Sequence, residues 1–120
     1  MEKAKLKRVK KYGEVFTPKW LVEDMLDKLP EEVWTDSSKR WLEPACGYGV
    51  FLKAIKDRLM VGLKDEIPDY FTREKHIIQN MLFGCDIQLG CTIITRFLLN
   101  PLNMHRDNIK TGDFLNDELF

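Results

Sequence analysis

Apolar residues recur along this chain at helical spacing in some stretches and form short continuous runs in others. Thr17-Pro18 is typical of a helix start, with Thr as the cap and Pro as the first helical residue. Five apolar residues then recur at helical spacing before Pro30: Leu21, Val22, Met25, Leu26 and Leu29. The polar residues 31–39 predict a loop.

The rest of the chain alternates between the two patterns. The predicted strands are 40–44, 81–86 and 108–110, and the predicted helices are 50–59, 72–81 and 89–99. Residues 60–71 contain Gly62 and Pro68 and predict a connecting loop. This alternation predicts an α/β fold with a parallel sheet, which binds ligands at the carboxyl ends of its strands.

Length and composition limit the classes of protein that remain. The 120 residues allow one domain. No apolar run approaches the roughly 20 residues that a membrane helix needs, and no secretory signal is apparent, so we expect a cytoplasmic protein with no membrane contact. The three cysteines include no Cys-x-x-Cys pair, and with two histidines they predict no metal site. We expect them to be reduced and packed as small hydrophobic side chains.

The net charge of zero is unevenly distributed. The first eleven residues contain one acidic residue, Glu2, and six basic ones: Lys3, Lys5, Lys7, Arg8, Lys10 and Lys11. We therefore predict a basic flexible arm over residues 1–12 and a single domain over 13–120. The arm could contact the phosphates of a nucleic acid, or it could be a solvated tail.

Residues 43–49, with the sequence EPACGYG, lead from the first predicted strand into the following helix. Glycines let a backbone approach a ligand closely, and a helix start offers unpaired amides. The acid at the strand end suits a cationic amino group and would repel a pyrophosphate. The Gly-x-Gly-x-x-Gly spacing of dinucleotide-binding turns is also absent. An ordinary strand-to-helix turn remains the alternative.

Three further motifs are weak when taken singly. Asp86 ends the second strand and could accept hydrogen bonds from ribose hydroxyls, although an Asp in this position is also a common helix cap. Asp113 follows the third strand, with Phe114 beside it, and could accept from an adenine amino group. Residues 13–18, with the sequence GEVFTP, could lie over a ligand or could simply cap a helix.

Together and in this order, the four motifs resemble those of DNA methyltransferases with adenine-N6 specificity from restriction–modification systems. The resemblance spans about residues 13–115. It implies a partial Rossmann-like methyltransferase fold, with a three-stranded parallel sheet flanked by helices, and S-adenosyl-L-methionine as the cofactor. The 43 positions from Glu43 to Asp86 are about twice the minimal interval for such a unit, so we expect residues 60–80 to be an insertion.

The resemblance also implies a role for each matching position. Phe16 and Thr17 would close over the cofactor. The residues expected to hold its methionine part are Glu43, Pro44, Ala45, Cys46 and Gly47. Asp86 would bind the ribose, and Ile87 would pack on the adenine. Asp113 would accept from the adenine N6 amino group, with Phe114 beside the ring.

The family's catalytic motif, Asn/Asp-Pro-Pro-aromatic, does not occur in these 120 residues. The most similar segment, residues 100–102, has one proline and precedes the third strand, so no catalytic residue is assigned. We therefore expect the cofactor-binding part of a methyltransferase, incomplete for methyl transfer. An inactive cofactor-binding or regulatory protein, and a methyltransferase acting on RNA or protein, remain alternatives.

The expected partners follow from this incompleteness. DNA would be bound through the complete enzyme. In the family's fold a fourth strand pairs with the free side of the first, so a sheet of three strands has an open edge. We expect the missing catalytic half, a second copy or a partner polypeptide to cover that edge. Trp20, Trp41 and Phe120 could contribute exposed apolar surface, or all three could simply be core residues.

Overall fold

The computed structural model describes residues 17–120, and its centre is a parallel sheet of three strands. The strands are β1 (Trp41–Glu43), β2 (Leu82–Asp86) and β3 (Asn108–Thr111). The strand β2 lies in the middle, in the order β1-β2-β3. The predicted α/β fold with a three-stranded parallel sheet is confirmed.

Four α-helices accompany the sheet within residues 17–120. They are α1 (Lys19–Asp27), α2 (Val50–Gly62), α3 (Tyr70–His76) and α4 (Leu89–Leu99). A 3-10 turn, Glu31–Trp34, lies between α1 and β1, and a π-helical turn, Ile77–Met81, follows α3. In the described part of the chain, no helix combines the length and apolarity needed to cross a membrane.

The helix α2 is longer than the sequence pattern predicted. Its predicted end was residue 59, but it continues to Gly62, and the amide of Leu63 donates to the carbonyl of Leu59. Leu63 is fully buried and extends the apolar stripe of Leu52 and Leu59 by one more turn. Gly62 is thus the last residue of α2, although the sequence pattern predicts a loop from residue 60.

Two predictions at the start of the described region were wrong. Pro18, and not Thr17, is the residue that caps α1, and no side chain completes the cap. The carbonyl of Pro18 accepts from the amides of Leu21 and Val22 instead. Residues 31–39 also contain the 3-10 turn, which is too short to produce a helical period in the sequence.

The core lies between one face of the sheet and the helices. Its buried members come mainly from α1, α2 and the strands, with further ones from the π-helical turn and α4, and include Val22, Leu26, Leu52, Leu59, Leu82 and Ile109. Gly84, in the middle of β2, faces this layer: a Cβ at that position would lie 2.6 Å from Cδ1 of Leu52. The close approach of α2 to the sheet therefore requires glycine there.

The opposite face of the sheet carries an apolar strip. Leu42 and Phe83 are register partners, and strand alternation turns both away from the face that Gly84 shares with the helices. Leu42 is 47% exposed. Phe120 returns over this face and packs edge-on against Phe83, with ring centroids 5.8 Å apart. Within residues 17–120, β1 pairs with a strand on one side only.

The expected surface-apolar residues divide into two groups. Trp20 is 70% exposed and Phe120 is also exposed. Trp41 is half-buried and stacks on Trp34 at 4.9 Å. The three cysteines are free and buried, which confirms that they pack as small hydrophobic side chains.

Candidate functional site

The turn after β1 connects the strand to α2 in six residues, 44–49. The amide of Cys46 donates to the carbonyl of Cys85 in β2 at 2.8 Å, which fastens the turn to the central strand. The amide of Gly49 donates to the carbonyl of Cys46, also at 2.8 Å. Gly47 and Gly49 have φ of +53° and +83°, in the left-handed region that favours glycine.

The two glycines face different surroundings. A Cβ at Gly47 would meet no atom within 4 Å, so the backbone there borders open space. A Cβ at Gly49 would lie 2.9 Å from Cγ2 of Thr95, because α4 packs closely beneath it. The turn therefore has a packed side against α4 and an open side, where a ligand can approach the backbone.

Asp86 links the turns that follow all three strands. Its Oδ2 accepts from the amide of Gly47 at 3.1 Å, and its Oδ1 accepts from the amide of Gln88 at 2.9 Å. Its carbonyl accepts from the amide of Gly112 at 2.9 Å. The capping residue of α4 is Gln88, so Asp86 is not a simple helix cap. Each carboxylate oxygen has about two acceptor positions, which leaves each able to accept a further donor.

Glu43 ends β1 and is half-buried. Burial raises the pKa of its carboxyl group, and a hydrogen bond from the amide of Ala45 partly opposes this. A carboxylate in this position is short of compensating interactions, so a cationic group beside it would be favourable. This is consistent with the preference for a cationic amino group inferred from the sequence.

Asp113 lies beyond the end of β3 and organises the turn that follows it. Its Oδ1 accepts from the amide of Leu115 at 2.9 Å and its Oδ2 from the side-chain amide of Asn116 at 2.6 Å. These bonds lower the pKa of Asp113, so it is a carboxylate at neutral pH. Phe114 next to it is 42% exposed, and Ile87 beside Asp86 is 60% exposed.

The structure thus brings most of the candidate residues to the end of the sheet where the strands have their carboxyl termini. Glu43, the turn through Gly47, Asp86 and Asp113 follow the carboxyl ends of three adjacent parallel strands. Thr17 lies just before α1, with its side chain half-buried. Phe16, the rest of the motif at 13–16 and the basic arm lie outside the described residues.

Two threonines of α4 were missed by the sequence reasoning, which treated residues 89–99 as an apolar helix. Thr95 Oγ1 donates to the carbonyl of Gly47 at 3.0 Å. Thr92 Oγ1 lies 2.7 Å from Oγ1 of Thr111, the last residue of β3. The sequence did contain a signal for them. Two hydroxyl side chains three residues apart lie on the same face of a helix, and here that helix is otherwise largely apolar.

A separate groove lies between α1, the 3-10 turn and α2. Its lining includes the acidic residues Glu23, Glu32 and Asp57, together with Trp34 and Arg58, and none of the strand-end residues. The guanidinium of Arg58 already donates to Glu23 at 2.6 Å and lies over the ring of Trp34. The groove therefore has no evident connection with the turns after the strands, where the converging polar groups lie.

Comparison with known proteins finds similar proteins by sequence and by structure, and no family model matches the chain. A Mycoplasma pneumoniae protein described as an uncharacterized adenine-specific methylase is 42% identical over 86 residues, which cover 69% of this chain and 20% of that protein. The crystal structure of a modification subunit, assigned to a type I restriction enzyme of Vibrio vulnificus YJ016, aligns with a TM-score of 0.53 at 19% identity. That alignment covers 93% of this chain and 22% of the other.

The structural match confirms the class of fold, a Rossmann-like α/β unit of the kind that methyltransferases use. The sequence match is more specific: over 86 residues the chain is similar to a protein described as an adenine-specific methylase. The resemblance stated from the four motifs is confirmed in this sense. The chain spans about a fifth of the length of each relative.

Proposed function

We propose that residues 13–120 are the S-adenosylmethionine-binding part of a DNA adenine-N6 methyltransferase from a restriction–modification system, preceded by a basic arm over residues 1–12. The observation that carries this proposal is the position of Asp86, whose carboxylate and carbonyl accept from the turns of both neighbouring strands. The homology to an adenine-specific methylase supports the choice of reaction.

The residues present fit this cofactor. S-adenosylmethionine carries an ammonium and a sulfonium group and no phosphate, so the carboxylates of Glu43, Asp86 and Asp113 would attract it. The open side of Gly47, where a Cβ would meet nothing within 4 Å, leaves space for the ligand beside the backbone. When bound, the cofactor supplies an activated methyl group on its sulfonium sulfur.

Each residue has a binding role in the proposal. Glu43 and the turn through Pro44, Ala45, Cys46 and Gly47 hold the methionine part. Asp86 accepts from the ribose hydroxyls through the acceptor positions that its two amide partners leave free. Asp113 accepts from the adenine amino group. The exposed side chains of Ile87 and Phe114 cover the ring, and Phe16 and Thr17 close over the cofactor.

Methyl transfer itself would need residues that this sequence does not contain. An enzyme that modifies a base flips it out of the duplex into a pocket that reads its edge. The Asn/Asp-Pro-Pro-aromatic motif for this step is absent from the 120 residues. We propose that the residues for this step lie outside these 120 residues, in the missing catalytic half or in a partner polypeptide. That half, a partner polypeptide or a second copy would cover the free edge of β1, with Leu42 and Phe83. The exposure of Leu42 supports this arrangement.

The cofactor site is tested by titration calorimetry with S-adenosylmethionine on the wild-type chain and on Asp86→Asn. The substitution keeps the shape and removes the charge, so we expect affinity to fall about 10- to 150-fold, as for the loss of charge-assisted hydrogen bonds. The matched control is Asp65→Asn, an exposed aspartate in the turn after α2. No binding by the wild type, or equal binding by Asp86→Asn, would contradict the proposal.

Two further measurements test the catalytic and partner proposals. We expect these 120 residues alone to produce no N6-methyladenine in DNA, and its detection would contradict the assignment of the transfer step to residues outside this sequence. Light scattering at low concentration tests the need for a partner. A folded, stable monomer that shows no tendency to associate would contradict pairing at the β1 edge.

A further inference from the structure

The helix α4 carries two threonines, Thr92 and Thr95, that are fully buried. They are three residues apart, so their side chains lie on the same face of the helix, one turn apart. A buried hydroxyl is unfavourable unless it is hydrogen-bonded, so two of them on one face need specific partners. Thr95 has its partner in the turn after β1, and Thr92 has one in the last residue of β3, directly before the turn that follows.

Thr95 supports the turn after β1. Its hydroxyl donates to the carbonyl of Gly47 at 3.0 Å and lies 3.7 Å from Sγ of Cys46. Its Cγ2 lies 2.9 Å from the position that a Cβ at Gly49 would take. One side chain therefore contacts three residues of the turn, from the side opposite its open face.

Thr92 supports the end of β3. Its hydroxyl lies 3.0 Å from the carbonyl of Leu89, to which it donates, and 2.7 Å from the hydroxyl of Thr111. Because Thr92 has a single proton to donate, Thr111 is the donor between the two hydroxyls. Thr111 directly precedes Gly112 and Asp113, so this bond fixes the point from which the third turn leaves the sheet.

We propose that Thr92 and Thr95 are positioning residues: α4 uses them to set the turn after β1 and the turn after β3 at a fixed spacing. Asp86 links the same two turns through Gly47 and Gly112 at the strand ends. The two turns are thus held both by Asp86 and by α4. The link to ligand binding rests on the proposed function, whereas the positioning of the turns does not.

Hydrogen exchange tests the positioning without a ligand. The variants are Thr95→Val and Thr92→Val, which keep the side-chain shape, with Thr95→Ser and Thr92→Ser as controls that keep the hydroxyl. In Thr95→Val we expect the amides of Gly47 and Gly49 to exchange about tenfold faster, the size expected for one lost hydrogen bond, with little change at Gly112. Thr92→Val should show the reverse pattern.

The serine variants should restore protection at the affected turn. A purely structural role for the threonines would give a uniform rise in exchange across the core, or none at either turn, and both results would overturn the proposal. Global destabilisation is recognised separately, because it would also speed exchange at buried β2 amides such as that of Cys85.

Titration with S-adenosylmethionine and with adenosine adds a second readout. Thr95→Val should weaken binding of S-adenosylmethionine about tenfold and leave adenosine unchanged, because adenosine lacks the part that the first turn holds. Thr92→Val should weaken both ligands. Equal losses for both ligands in Thr95→Val would overturn the proposal. If the wild type bound neither ligand, the proposed function would fail, and the exchange pattern would still decide the positioning of the turns.

Discussion

The contrast between the glycines of the first turn leads to a quantitative prediction for Gly49→Ala. Gly49 has φ of +83°, and its missing Cβ would lie 2.9 Å from Cγ2 and 3.2 Å from Cβ of Thr95. Both neighbours belong to a fully buried side chain on α4, held by its bond to Gly47, so neither can move freely. The substitution therefore introduces backbone strain and overpacking together.

The two contributions can be estimated separately. Placing alanine in the left-handed region costs about 1–2 kcal/mol. Forcing one methyl group into a close-packed interior costs about 1–3 kcal/mol. We expect Gly49→Ala to lower the free energy of unfolding by about 2–5 kcal/mol. Gly47→Ala, with φ of +53° and open space around its Cβ, should cost about 1–2 kcal/mol from the backbone alone.

Urea denaturation followed by circular dichroism measures both values. The matched control is Gly90→Ala in α4, where φ is not positive and no atom lies within 4 Å, so it should be neutral or stabilise by up to about 1 kcal/mol. The decisive quantity is the difference between Gly49→Ala and Gly47→Ala. If Gly49→Ala were no more destabilising than Gly47→Ala, the close contact between this turn and α4 would be refuted.

Three other predictions concern a close backbone contact, a buried ion pair and a buried cysteine. Gly62→Ala would place a Cβ 2.0 Å from a carbonyl oxygen of the 3-10 turn, so urea denaturation should show a loss of at least about 3 kcal/mol; a wild-type midpoint would contradict this contact. Partial burial works to raise the pKa of Glu74, but hydrogen bonds from His105 and Lys56 prevail and lower it. The ionised Glu74 therefore stabilises the fold above about pH 4.5, and this stabilisation is lost as pH falls through the lowered pKa of the folded state. Glu74→Gln should therefore lower stability at pH 7 and flatten its decline between about pH 5 and pH 3, and an unchanged slope in urea titrations would contradict this. Burial raises the pKa of Cys46 to about 11, so native chain at pH 8 should resist iodoacetamide until urea is added, and rapid native alkylation detected by mass spectrometry would argue against its burial.

The order of helices and strands could be predicted because it is specified by local patterns of apolar residues. Short apolar runs that alternate with helical periods specify parallel strands and crossovers, and the handedness of crossovers leaves few topologies. The boundaries were less predictable. The end of α2 depends on Leu63 packing into the core, and the π-helical turn after α3 has no period of its own.

The candidate site could be predicted only in part, because its polar residues differ in where their partners lie. Glu43, Asp86 and Asp113 occupy strand ends, a position that the sequence reveals directly. Thr92 and Thr95 act through contacts that form only when α4 packs under the first turn and beside β3. A sequence pattern shows that two hydroxyls share a helix face, but it does not show which turns they meet.

The hydrogen bonds already made at Asp86 narrow the class of ligand that the proposed site would accept. Its two oxygens each accept one amide, which leaves a pair of acceptor positions on one carboxylate, an arrangement that suits two neighbouring hydroxyls. The carboxylates of Glu43 and Asp113 at the same sheet edge disfavour phosphate groups by repulsion. A nucleoside with a free ribose diol and a positively charged tail satisfies both conditions, whereas a nucleotide satisfies only the first. S-adenosylmethionine is such a nucleoside. The positive charge on its sulfonium group makes the methyl group reactive, and it is also a charge that the carboxylates at the strand ends would attract.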